Sequence, residues 1–130
     1  MLTQSQKEEL EAVCKRYQIL AFFLFGSRAK NKAKATSDWD LAFYSKKELT
    51  PSQYLSFHEA CMKFFDTEKI DLVDLRFRAD PLVAYEILKT GISLYENYEG
   101  LVSELRGSAW LDFLDVKENY ERSEKMTQKR

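Results

Sequence analysis

Gly26 and Ser27, followed after ten intervening residues by Asp38-Trp39-Asp40, are the residues whose types and spacing could do chemistry. If Trp39 to Tyr44 is a strand, side-chain alternation puts Asp38 and Asp40 on one face, with Cα atoms roughly 7 Å apart. Two carboxylates so placed repel each other unless cations lie between them. Hard oxygen ligands of this kind suit Mg²⁺, which commonly takes one or two carboxylates and completes its shell with substrate phosphates. A Gly-Ser pair between an apolar strand and a following helix offers the other half. Glycine lets a phosphate approach the backbone, and the hydroxyl and helix amides can donate to it.

A third carboxylate is expected from Ile70-Asp71-Leu72-Val73-Asp74-Leu75. Alternation sends Asp71 and Asp74 to opposite faces, so one of them points at the metals. Each face also carries two apolar residues, and parity alone does not choose between them.

Elements that would position these residues are readable nearby. Leu10, Val13, Cys14 and Tyr17 recur at helical spacing within Thr3–Tyr17 and predict an amphipathic opening helix. Ile19–Phe25 is a short apolar run ended by Gly26, which predicts a buried strand. Thr50-Pro51-Ser52-Gln53 combines a capping residue, proline at the first helical position and Gln three residues after the cap. The helix it starts has Tyr54, Phe57, Cys61, Phe64 and Phe65 as its apolar side. Ile70–Leu75 is a third strand. Asp80-Pro81 opens a helix that Gly91 closes, and Ile92–Tyr95 is a short edge strand. A long helix is expected from Gly100 to about Met126, and the closing Thr127–Arg130 is expected to fray.

Composition bounds the class of protein. The 130 residues suit one domain, with a core at about 18–97 and a C-terminal helix at about 100–126. Lys and Arg number 20 against 21 Asp and Glu, so a broad electrostatic grip on nucleic acid is not expected. Cys14 and Cys61 lie among apolar neighbours, as reduced core thiols do, and make neither a disulfide framework nor a zinc site. Ile19–Phe25 falls far short of a membrane span. A soluble cytoplasmic protein without a membrane partner is the expectation.

The pattern Gly-Ser-x10-Asp-x-Asp with a later Ile-Asp-Leu strand resembles the nucleotidyltransferase superfamily that includes DNA polymerase beta. Gly26-Ser27-Arg28-Ala29, Val73-Asp74-Leu75-Arg76 and Tyr85–Gly91 with Leu94-Tyr95 behind it resemble the minimal nucleotidyltransferase (MNT) branch. That resemblance implies an α+β fold, a small mixed sheet with helices packed on one face and a two-metal site on the other. It implies an antitoxin that transfers AMP from ATP to a tyrosine of a HEPN-domain ribonuclease toxin. Carried over by position, Gly26 and Ser27 would hold the triphosphate and Asp38 and Asp40 would bind Mg²⁺. Asp71 would be the third carboxylate and the base for the attacking hydroxyl. Asn31 departs from the pattern, standing where the family commonly has glycine; asparagine tolerates the left-handed backbone such a loop requires.

Other residues have plainer readings. Of the basic run Arg28, Lys30, Lys32 and Lys34, Arg28 is the one expected to touch nucleotide or partner; a solvated basic loop is the alternative. His58 is expected to be structural. No Arg stands four to six residues before it, so the chain lacks the Arg-x4–6-His motif of the toxin half. Leu101, Leu105, Trp110, Leu111, Phe113, Leu114 and Val116 wrap more than one stripe of the last helix, which points to toxin contact there. Two rival functions are an antitoxin acting by binding and occlusion, and a nucleotidyltransferase acting on a small molecule such as an aminoglycoside.

Overall fold

The structure, a computed structural model, describes residues 2–34 and 37–128, with side chains through Ser123. Helix α1 (Gln4–Arg16) begins at a capping box in which Thr3 Oγ1 accepts from the Gln6 amide and Gln6 Oε1 accepts from the Thr3 amide. Strand β1 (Ile19–Phe25) has the expected bounds, and one helical turn, α2 (Gly26–Ala29), follows it directly. Strand β2 (Trp39–Ser45) leads to α3 (Pro51–Phe65), whose Thr50–Gln53 capping box is formed as the sequence predicts. Strand β3 (Ile70–Asp74), helix α4 (Pro81–Thr90), strand β4 (Ile92–Glu96) and helix α5 (Leu101–Gln128) complete the chain. Of the Thr127–Arg130 stretch expected to fray, Thr127 and Gln128 belong to α5 instead, and Lys129 and Arg130 lie outside the described residues.

The four strands run in the order β3-β2-β1-β4. β1 pairs antiparallel with β2 and β4, whereas β2 and β3 are parallel, with α3 as the crossover. This is the mixed α+β architecture expected, with one correction: helices cover both faces of the sheet, not one. Successive residues of β1 feed opposite cores, as a period of two requires. Phe22 meets Leu10, Cys14, Phe57 and Cys61 from α1 and α3, while Ala21 and Phe23 meet Ile87, Leu88, Leu101 and Val102 from α4 and α5. The first core is aromatic and centred on Phe57, whose ring lies 5.3–5.8 Å from those of Tyr17, Phe22 and Phe43.

Helix α5 docks on α4 through Leu101, Val102, Leu105 and Ala109. Arg106 fixes the seat, donating to the Leu88 carbonyl (2.8 Å) and the Gly91 carbonyl (3.2 Å) at the end of α4. At 28 residues α5 is about 42 Å long, and Trp110, Leu111 and Leu114 are 45, 66 and 41% exposed. Among the described residues no helix is long and apolar enough to cross a membrane.

Phe57→Ala should lower the unfolding free energy by about 3–5 kcal/mol in urea denaturation, because it empties the centre of a closed aromatic cluster. Burial pushes the Cys61 thiol up to about 12 and the Cys14 thiol higher still. Both should resist a thiol reagent at pH 8 until denaturant is added; fast labelling of either in the native state would contradict this packing.

Candidate active site

The ladder between β1 and β2 sets Phe25 opposite Asp40, and the parallel ladder between β2 and β3 sets Asp40 beside Asp71. Three neighbouring strands thus bring together, at one end of the sheet, the glycine turn that follows β1, Asp40 near the start of β2 and Asp71 near the start of β3. Asp71 shares its face with Val73, and Val73 packs into the α4–α5 core. The sequence left Asp71 and Asp74 as alternatives, and the structure brings only Asp71 to Asp40. Asp74 is buried on the other face, where its Oδ1 accepts from the Arg76 and Phe77 amides (3.1 and 3.0 Å) and closes the turn after β3.

Asp38 is exposed in the loop just before β2, one residue outside the strand, which begins at Trp39 as expected. It still bears on Asp40. Partial burial, then the charge of Asp71, then that of Asp38 hold the Asp40 carboxyl above its ordinary range. Two acids crowding a third carboxylate make a site that favours a cation.

Gly26 closes against this cluster. Its φ of +73° is a conformation L side chains rarely adopt, and a Cβ placed on it would stand 2.1 Å from Asp40 Oδ2. Only a residue without a side chain lets the backbone of the Gly26-Ser27 turn lie against the carboxylate. Asn31 has φ +55°, so the asparagine found in place of glycine does take the left-handed conformation.

Arg28 is placed apart from the acids. Its guanidinium lies 4.3 Å above the Trp39 ring and donates to the Ser37 carbonyl at 2.8 Å, on the face that carries α1 and α3. It is tied to the backbone of Ser37, next to Asp38, so its effect reaches the site through the position of Asp38. Lys30, two residues on, lines a cleft of about 370 Å³ with Gly26, Asp71, Val73, Val83 and Glu86. His58 is structural in its contacts: it stacks on Tyr54 and its Nε2 lies 3.2 Å from the Ile70 carbonyl.

Among the described residues no three Asp, Glu, His or Cys side chains gather into a ready metal cage. The donor set is all-carboxylate and open, and the glycine turn leaves room beside it for phosphate. That chemistry fits Mg²⁺, which binds through one or two carboxylates plus substrate oxygens. Asp38, Asp40 and Asp71 would hold it.

The model of the family Polymerase beta, Nucleotidyltransferase matches residues 8–100, so the chain belongs to this nucleotidyltransferase family. No curated protein matches the chain. Among solved structures, it is similar to a chain of a toxin–antitoxin crystal structure with AMP-PNP, at 15% identity and a TM-score of 0.75, over 94% of this chain and 98% of that one. It is also similar to a chain from a structure of the tri-AMPylated Shewanella oneidensis HEPN toxin in complex with MNT antitoxin: 15% identity, TM-score 0.70, 98% of this chain and 99% of that one. A minimal nucleotidyltransferase matches at 24% identity and a TM-score of 0.58, over 68% of this chain and 89% of that one. At these identities the likeness establishes the fold.

Asp40→Asn removes one charge from the cluster at nearly constant size. Because the folded-state acid is raised, its stabilising contribution is present when it is protonated and is lost as pH rises through its folded pKa. Without divalent cation, the variant should melt at or above wild type near pH 7, and the gap should close toward about pH 4. A clearly lower melting temperature at pH 7 would contradict the crowding of these carboxylates. Gly26→Ala should melt lower than wild type under the same conditions.

Proposed function

We propose that this chain is an antitoxin that transfers AMP from ATP to a tyrosine of a HEPN ribonuclease toxin, in the cytoplasm. The observation that carries this reading is the alignment of Asp40 with Asp71 across β2 and β3, with the Gly26 turn packed against Asp40. The family match supports nucleotidyl transfer, and the similar toxin–antitoxin structures, one with AMP-PNP and one with a tri-AMPylated HEPN toxin, support the donor and the partner.

In this reading the amides and hydroxyl of Gly26-Ser27 hold the triphosphate, and Asp38, Asp40 and Asp71 bind Mg²⁺. Held by these carboxylates, Mg²⁺ would supply charge stabilisation to the phosphoryl group in transfer. Asp71 takes the proton of the acceptor hydroxyl, which attacks the α-phosphorus; pyrophosphate leaves with the electron pair of the broken bond. Arg28 positions the backbone at Ser37, ahead of Asp38, rather than touching the nucleotide. The exposed apolar flank of α5, with Trp110, Leu111 and Leu114, is the docking surface for the toxin.

ATP labelled at the α-phosphate, Mg²⁺ and the candidate HEPN partner test this directly. Label should appear on the partner with wild type and fall by about 10³-fold or more with Asp38→Ala/Asp40→Ala, on the scale of losing one electrostatic element of a phosphoryl-transfer site. A double variant that still binds and silences the toxin would replace catalysis with occlusion. Label moving instead to an added amino or hydroxyl compound would make the acceptor a small molecule.

A further inference from the structure

We infer that the acceptor side chain enters through the cleft between the end of α2, β3 and α4, and that α4 is the wall that selects it. This rests on the reading above and names a part of the site that the acids do not. The cleft, about 370 Å³, includes Gly26, where the triphosphate turn starts, and has Asp71 in its lining. In the reading above Asp71 takes the acceptor's proton, which places the acceptor hydroxyl in this cleft. Phe25, Val73 and Ile87 give it apolar walls suited to a planar ring, and Lys30 stands where it would favour an ionised phenol over the neutral one.

The occupant is a phenolic side chain carried on a protein. The cleft opens outward, and its outer edge is apolar: Val83 is 50% exposed and the adjacent Leu82 is 44% exposed. An apolar lip continuous with a polar reaction centre suits a macromolecular surface that lays a segment along α4 and inserts one ring. Glu86, on the next turn of α4, adds a charge to the same wall and so disfavours acidic flanking residues on the acceptor. On insertion, the phenolic oxygen bonds to the α-phosphorus, the bond to the bridging oxygen breaks, pyrophosphate departs with its electrons, and the phenol proton passes to Asp71.

Val83→Arg tests the assignment, since a half-exposed position tolerates arginine and circular dichroism checks the fold. Two quantities are read: label transfer against partner concentration, and affinity for a non-hydrolysable ATP analogue by calorimetry. The half-saturating partner concentration should rise by about tenfold or more, with analogue affinity essentially unchanged. Weakened analogue binding with unchanged partner dependence would give the cleft to the nucleobase and overturn the proposal; no change in either would overturn it as well.

A second arm does not depend on transfer. Cys14 and Cys61 are buried, so Val83→Cys provides one accessible thiol for a benzophenone maleimide. Cross-linking to the HEPN partner from position 83, and not from Leu55→Cys on α3, supports the docking even if wild type transfers no AMP and the catalytic reading fails alone. A complex that forms without cross-linking at position 83 overturns the docking, and no complex at all overturns both readings.

Discussion

Phe25 and Asp40 face each other in the β1–β2 ladder, and everything about the site depends on how closely the chain turns immediately after that pair. Gly26 lies so near the Asp40 carboxylate that any side chain would collide with it. The turn can therefore leave the strand beside the acid instead of swinging around it. The parallel β2–β3 pairing then brings Asp71 alongside, through a crossover helix that is itself anchored at both ends. Thr50 and Gln53 satisfy the first amides of α3, and Asp66, left-handed at φ +52°, ends it.

Crowding carboxylates works against folding, and here it is offset away from the site. The aromatic core around Phe57 and the smaller aliphatic core under α4 and α5 clamp the same sheet from two sides. Neither core needs the acids, and both fix the strands that carry them. Arg28 belongs to this scaffold. Stacked on Trp39, it keeps the loop ahead of Asp38 from lifting away, which gives an electrostatic site one mechanical restraint.

Much of this architecture is legible in the amino-acid sequence because local rules suffice for it. An apolar run cut by Gly26 marks β1, helical apolar spacing marks α1, a capping signature marks α3, and Asp80-Pro81 with Gly91 brackets α4. The Gly26, Asp38 and Asp40 spacing is equally visible. Choosing Asp71 over Asp74 is not, since helices cover both faces and the apolar residues on either side of β3 look alike. The direction of Arg28 is hidden for a similar reason: it follows Ser27 directly, and the single helical turn they share aims it at the far face. Val83 and Glu86 carry no signal at all. Which side of α4 meets the sheet is decided by tertiary packing, which no periodicity within ten residues records.

Coverage of both faces also governs how this protein can acquire new partners. Beyond the cleft at Asp71 and Val73, helices cover the described sheet, so another molecule meets mainly helix surfaces, loops or strand edges. The outward sides of α4 and α5 can change residue by residue while the inward sides keep the strands, and with them the acids, in register. Recognition and chemistry are thereby written on different surfaces of the same helices, and the first can drift through many pairings while the second stands still.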